Sequence, residues 1–266
     1  MVQAGVRLIS FTGGEPLVRR DIGEIVAHVK SRGLVCKLNT NGMLLPQRLD
    51  ELRQLDLLQI SIDGPPHVQD RLRGPGTAER AAAAVRAARD AGIRVQLIAC
   101  LTRENVAQLD EVLDFGLELK SGFCFQLLSD KELDEPSADQ SVPGRTELLD
   151  ALDYLLRLRR QRHPRARAIA SHNSELRYYR DLLQNGSRGC ECTLVTATML
   201  PDGQLIFCGN ARDYCSYDAV SLGFATAFSR LTIPQCDGCV CVGKLRLSRV
   251  YQWDLGLMRE MLGLWR

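Results

Sequence analysis

Five short apolar runs alternate with stretches whose apolar residues recur at helical spacing, and this alternation constrains the fold more than any other feature. The runs are Val6 to Thr12, Leu34 to Leu38, Leu57 to Ile62, Ile93 to Leu101 and Phe123 to Leu128. Between them lie Ile22 to Val29 behind the acidic start Asp21, Pro46 to Leu55, the alanine-rich Ala78 to Ala91 stopped by Gly92, and Val106 to Leu119. Short buried strands alternating with helices predict a parallel sheet with right-handed crossovers. Such a sheet delivers every strand's C-terminus to one edge, where ligands bind. The polar turns after Phe11, Leu38 and Ile62 all fall at that edge.

With 266 residues, 45% of them hydrophobic, the chain can bury a full core in one large domain with a smaller one beside it. A net charge of +2 gives no global pull toward nucleic acid, and none is expected as a partner. No run reaches about 18 consecutive apolar residues, so no membrane span is expected. The start Met1-Val-Gln-Ala-Gly lacks the basic and apolar regions of a signal peptide. The expected compartment is therefore the reducing cytoplasm, where clustered cysteines favour metal over disulfides.

The first turn, Thr12-Gly13-Gly14-Glu15-Pro16, combines two glycines that let a ligand approach the backbone with a carboxylate that can accept hydrogen bonds from an ammonium. Asn39-Thr40-Asn41-Gly42 and Ser61-Ile62-Asp63-Gly64 follow the next two strands. Each alone is an ordinary turn. On successive strands, in this order, they read together as turns that could bind a small molecule.

Cysteine usage changes sharply toward the C-terminus. Cys36, Cys100 and Cys124 lie singly inside predicted strands and read as core thiols. The other seven are Cys190, Cys192, Cys208, Cys215, Cys236, Cys239 and Cys241. A hairpin around Pro201-Asp202-Gly203 leads to Cys208, and Cys236-Asp-Gly-Cys239 is a tight C-x-x-C pair that brings two thiolates onto one ion. Four thiolates suit structural zinc as well as an iron–sulfur cluster. The predicted organisation is a barrel-like domain over 1–145, a helical connector over 146–185 and a cysteine-rich domain over 186–266. Ser129 to Arg145 reads as a linker or lid. The basic run from Arg157 to Arg167 reads as a solvated face, and His67 as structural. Trp253 and Trp265 suit a terminal helix.

The turns, taken in order, resemble the radical S-adenosylmethionine (radical SAM) superfamily. Gly13-Gly14-Glu15-Pro16 is the strongest element, and Asn39-Thr40-Asn41-Gly42, Ser61-Ile62-Asp63-Gly64 and Arg71-Leu72-Arg73-Gly74 support it. The resemblance implies that Gly13, Gly14 and Glu15 bind the amino group of SAM, with Asn41, Ser61 and Asp63 lining its ribose and carboxylate pocket. It also implies a [4Fe–4S] cluster on a C-x3-C-x2-C loop, whose electron breaks a carbon–sulfur bond of SAM to make the 5′-deoxyadenosyl radical. The first cysteine here is Cys36, so this chain holds no ligands for that cluster and is expected to be inactive by itself. A fragment of a longer protein is the expected explanation; a degenerate protein and a partner-supplied segment are the alternatives.

The tail resembles the SPASM and twitch extensions of these enzymes. That resemblance implies one auxiliary [4Fe–4S] cluster on Cys190, Cys208, Cys236 and Cys239, with Cys192, Cys215 and Cys241 as alternates. The expected fold is α/β: a partial parallel (β/α) barrel missing its first strand, plus a small cysteine-rich α+β iron–sulfur domain. The expected function is that of an oxidoreductase or maturase modifying a peptide, protein or cofactor precursor, served by an electron donor such as flavodoxin or ferredoxin. The rival is a non-catalytic iron–sulfur or SAM-binding protein acting in electron transfer or as a scaffold.

Overall fold

Strict alternation of side-chain burial builds the sheet. In Val35–Thr40 the residues Cys36, Leu38 and Thr40 are buried, while Val35, Lys37 and Asn39 on the other face are half-buried. The same period of two runs through Val95–Cys100, where Val95, Leu97 and Ala99 are buried and Gln96, Ile98 and Cys100 are half-buried. The computed structural model describes residues 1–128, 142–186, 196–208 and 215–232. It divides the chain into two units, essentially Val6–Ser171 and His172–Arg266.

The first unit holds a five-stranded sheet of β1 (Leu8–Phe11), β2 (Val35–Thr40), β3 (Leu57–Ser61), β4 (Val95–Cys100) and β5 (Phe123–Gln126). Every adjacent pair is parallel, and the strands lie in consecutive order. Consecutive parallel order is that of a β/α barrel wall, in agreement with the sequence expectation. The helices between strands are α1 (Ile22–Ser31), α2 (Leu45–Arg48), α3 (Pro66–Arg73), α4 (Thr77–Asp90), α5 (Arg103–Val106) and α6 (Leu109–Glu118). One sheet face carries Leu38, Leu58, Ile60, Leu97, Phe123 and Phe125, all fully buried. Each helix buries a stripe of its own: Ile22, Val26 and Val29 on α1, Ala81, Ala84, Val85 and Ala88 on α4, and Val112 and Leu113 on α6. The alanines keep α4 thin, which lets it lie close to the sheet.

Three helices depart from the pattern in the sequence. The helix predicted over Pro46–Leu55 stops at Arg48 and continues as a 3-10 turn, Leu49–Leu52. Arg48 there donates to the carbonyls of Leu17 (3.1 Å), Arg19 (3.1 Å) and Arg20 (2.8 Å) and forks onto Glu51, so tertiary bonds override helix propensity. The helix predicted over Val106–Leu119 begins only at Leu109, as α6, and the separate short α5 (Arg103–Val106) precedes it. Helix α3 is masked in the sequence by Pro65-Pro66, which reads as a turn; Pro66 occupies the first helical position, where its missing N–H costs nothing.

Beyond β5 come α7 (Arg145–Arg160) and a 3-10 turn, Pro164–Ala168. Ile169 forms a parallel bridge with Phe123, and Ser171 Oγ accepts from Phe125 N at 2.8 Å. The segment predicted as one connector, 146–185, is thus divided: α7 belongs to the sheet unit and α8 (Asn173–Asn185) to the second. Part of the basic run braces the first unit instead of facing solvent freely. Arg165 forks onto Asp114 at 2.8 Å twice, and Arg159 reaches the Ile169 carbonyl at 2.5 Å.

In the second unit β6 (Thr198–Met199) and β7 (Gln204–Ile206) make the hairpin predicted at Pro201-Asp202-Gly203, and β8 (Tyr217–Asp218) pairs antiparallel with β7. Helix α9 (Phe224–Arg230) follows Gly223 as the sequence suggests. Leu205, Phe207, Cys208, Ala219, Ala227 and Leu231 form its core. Of the predicted linker or lid, Ser129 to Arg145, residues 129–141 lie outside the described residues, as do the terminal tryptophans, and Arg145 already begins α7.

Candidate functional site

Glu15 joins two turns at the β1 end of the C-terminal edge. It caps the 3-10 turn Pro16–Val18 by accepting from Leu17 N (3.0 Å) on Oε1. The same oxygen accepts from Thr40 Oγ1 (2.8 Å), and Oε2 accepts from Asn41 N (2.8 Å). One carboxylate therefore joins the turn after β1 to the turn after β2. A carboxylate offers about four acceptor positions, and the described residues fill three of them. Gly13 adopts φ +132°, and a Cβ at Gly13 or Gly14 would meet no heavy atom within 4 Å. The turn thus leaves open room beside an ionised acceptor.

The second turn is built by its own side chains. Thr40 Oγ1 accepts from Gly42 N (3.0 Å), and Asn41 Oδ1 accepts from Met43 N (2.8 Å). Gly42 has φ +83°, and a Cβ there would sit 3.3 Å from both the Ala84 Cβ and the Ile60 Cγ2. Gly42→Ala is expected to lower unfolding free energy by about 1–2 kcal/mol, the cost of a left-handed non-glycine residue; urea denaturation checks this, and a loss below half that range would show that the turn relaxes freely.

Asp63 behaves differently from Glu15. Its side chain is only 5% exposed, and Oδ2 accepts from Arg73 Nε in an ion pair. Oδ1 accepts from Cys100 N (3.1 Å), and the Asp63 N–H donates to the buried Gln69 Oε1 (2.7 Å). Asn105, wholly buried, closes the bracket: its Nδ2 donates to the carbonyls of Asp63 (3.1 Å) and Cys100 (2.7 Å), and its Oδ1 accepts from Thr102 N (2.8 Å). The carboxylate thus ties β3 to β4 and to α3. Ser61 ends β3 on the half-buried face, between Gln59 and this bracket.

Sequence reasoning misses Arg48, Arg73 and Asn105 as supporting residues. Arg73 lies within Arg71-Leu72-Arg73-Gly74, where no local pattern assigns it a partner. His67 meets Gln108 Oε1 at 2.6 Å on the outer rim. Burial pushes the Cys36 thiol up to about 11, with Asp56 adding to it; burial and then Asp63 also push Cys100 up. These thiols stay protonated at neutral pH, as core residues do. Among the described residues no three His, Cys, Asp or Glu side chains are placed to hold a metal ion.

Of the predicted tail ligands, Cys208 is described: it is 9% exposed within the core of the second unit. Cys215 Sγ lies 3.2 Å from Thr232 Oγ1, and that hydrogen bond holds its thiol below the ordinary range. Cys190, Cys192, Cys236, Cys239 and Cys241 lie outside the described residues.

A consecutive parallel sheet with a Gly-Gly-Glu-Pro turn at its C-terminal edge defines an α/β domain of the β/α-barrel type. Residues 1–116 match the family model described as the Radical SAM superfamily. The chain is 34% identical over 113 residues to the AdoMet-dependent heme synthase of Nitratidesulfovibrio vulgaris, covering 41% of this chain and 31% of that protein. It is 37% identical over 122 residues to the PqqA peptide cyclase of Rhizobium meliloti, covering 44% and 32%. It therefore spans about a third of the length of these curated relatives. Streptococcus suis SuiB bound to precursor peptide SuiA shares the fold with a TM-score of 0.64 at 16% identity, over 83% of this chain and 53% of that one. Native anSMEcpe with bound AdoMet gives 0.58 at 17%, over 77% and 60%. No described helix is long and apolar enough to cross a membrane.

Proposed function

We propose that the C-terminal edge of the five-stranded sheet binds SAM for a radical reaction on a peptide, a protein or a cofactor precursor, the kinds of molecule named for PqqA cyclase, SuiB and the heme synthase. The observation that carries this reading is the Glu15 carboxylate, which gathers two turns beside open glycine backbone and has an acceptor position that the described residues leave unfilled.

The residues present fit SAM. The ammonium of its methionyl group pairs with that position of Glu15 while Gly13 and Gly14 admit the ligand. Asn41 and Ser61 line the neighbouring strand ends. Asp63 supports the pocket by holding β3 against β4 through Cys100 N and Arg73. Beside a reduced cluster held elsewhere, SAM would supply a 5′-deoxyadenosyl radical. The described residues do not fit the catalytic cluster itself, because Cys36, Cys100 and Cys124 sit on three separate strands.

For the tail, the reading is one auxiliary [4Fe–4S] cluster on Cys190, Cys208, Cys236 and Cys239. Anaerobic reconstitution of the 266-residue chain should yield about four irons per chain. Cys208→Ala should abolish this content and Cys36→Ala should leave it unchanged. Recovery of zinc alone, or iron that survives Cys208→Ala, would overturn the assignment. For SAM, equilibrium dialysis against the Glu15 variants described below is the test.

A further inference from the structure

The inner sheet face carries a run of polar side chains beside Val35, Leu57 and Ile98, where a parallel barrel wall is normally filled by branched apolar side chains throughout. Lys37, Asn39, Gln59, Ser61, Gln96 and Gln126 stand on the half-buried side of their strands. Three of them form one row. Asn39 is the register partner of Gln59, and Gln59 of Gln96. Gln59 Nε2 donates to Gln96 Oε1 at 3.1 Å, which fixes both amide planes and leaves Gln59 Oε1 and Gln96 Nε2 as an acceptor and a donor. At the other end of the row, Asn39 Oδ1 is buried and has no hydrogen-bond partner among the described residues. A buried orphan acceptor is costly and persists where something else satisfies it.

We propose that Asn39, Gln59 and Gln96 form a subsite for a planar amide of the substrate, a peptide group or a carboxamide, with its N–H donated to Asn39 Oδ1. Three strands spaced about 4.8 Å apart make the row about 10 Å wide, enough for a capped dipeptide unit. Asn39 lies two residues below Asn41, so the row is about 7 Å beneath the Glu15 turn. The row itself carries no charge, which suits an amide better than a phosphate. Its density of polar groups suits an amide better than a tetrapyrrole face. The role as a substrate subsite rests on the reading above; the affinity for amides does not.

The test is a titration of the full 266-residue chain with N-acetylglycine N-methylamide, observed at the side-chain amide resonances of Gln59 and Gln96. These resonances should shift saturably. The donor-free N,N-dimethylacetamide should bind at least tenfold more weakly, because it cannot satisfy Asn39. Asn39→Leu should erase that difference while leaving the melting temperature unchanged or raised, since the orphan acceptor is gone; a structural asparagine would lower it. Gln96→Leu should lose the titration independently. Equal binding of the two amides, no shift at either glutamine, or stronger shifts with inorganic phosphate or a coproporphyrin would overturn the proposal. A chain that shows the amide titration yet binds no SAM in dialysis would sink the SAM reading and uphold this subsite. SAM binding without the amide titration would do the reverse.

Discussion

Replacing Glu15 with Ala should weaken SAM binding by roughly 1.5–3 kcal/mol, the range for a hydrogen bond to a charged group, or about ten- to a hundred-fold in Kd. The same change removes three hydrogen bonds, to Leu17 N, Thr40 Oγ1 and Asn41 N. It should therefore also destabilise the sheet unit by about 2–4 kcal/mol, less than three full charge-assisted bonds because the carboxylate is half-exposed. Glu15→Gln separates the two effects. A glutamine oxygen can serve Leu17 N and Thr40 Oγ1, but its NH2 group then opposes the Asn41 N–H; flipped, it opposes Leu17 N–H instead. Either way one bond is lost, so stability should fall by only about 1 kcal/mol. The charge that pairs with the SAM ammonium is gone in both variants. Unchanged SAM affinity in Glu15→Gln would remove this residue from the ligand site and leave it as a brace between β1 and β2.

That dual role marks where the sequence stops being legible. The Gly-Gly-Glu-Pro turn and the alternation of strands and helices are local patterns, so strand positions, parallel order and the edge that carries the site all follow from them. Two of the three partners of Glu15 are 25 and 26 residues away, and no local pattern encodes that they fill its remaining oxygen positions. Asp63 shows this more sharply. From the Ser-Ile-Asp-Gly turn it reads as a pocket residue, yet its oxygens are engaged by Arg73 and by Cys100 N, the latter 37 residues on. Arg48 is hidden because a long basic side chain on a predicted helix usually faces water; here it closes over the carbonyls of Leu17, Arg19 and Arg20, just after the first turn. The hairpin at Pro201-Asp202-Gly203 is legible because turn residues carry their own geometry, as Gly203 does at φ +85°.

The bracket at Asn105 should produce the largest loss of stability of any substitution near the site. Asn105 is wholly buried and satisfies three backbone groups: the carbonyls of Asp63 and Cys100, and the N–H of Thr102. Asn105→Ala strips all three at once and leaves a small cavity, for an expected cost of about 3–5 kcal/mol. For a unit of this size that corresponds to a fall of roughly 8–15 °C in melting temperature. Asn105→Asp should be at least as damaging despite its near-identical shape, because an oxygen replaces the donor that faces two carbonyls. By contrast, Arg73→Lys should cost less than either, since an ammonium can still reach the Asp63 carboxylate even though the planar fork is lost. The order Asn105→Asp and Asn105→Ala well above Arg73→Lys, measured by urea denaturation, tests whether β3 and β4 are locked mainly by the amide bracket or by the ion pair. If Arg73→Lys proves the most damaging of the three, the ion pair is the principal lock, and Asp63 is held at the strand end by charge. If the amide variants dominate, the Asp63 backbone is positioned independently of its charge, and Asp63→Asn, which can still accept from Cys100 N, should retain SAM affinity within about threefold while Asn105→Ala does not.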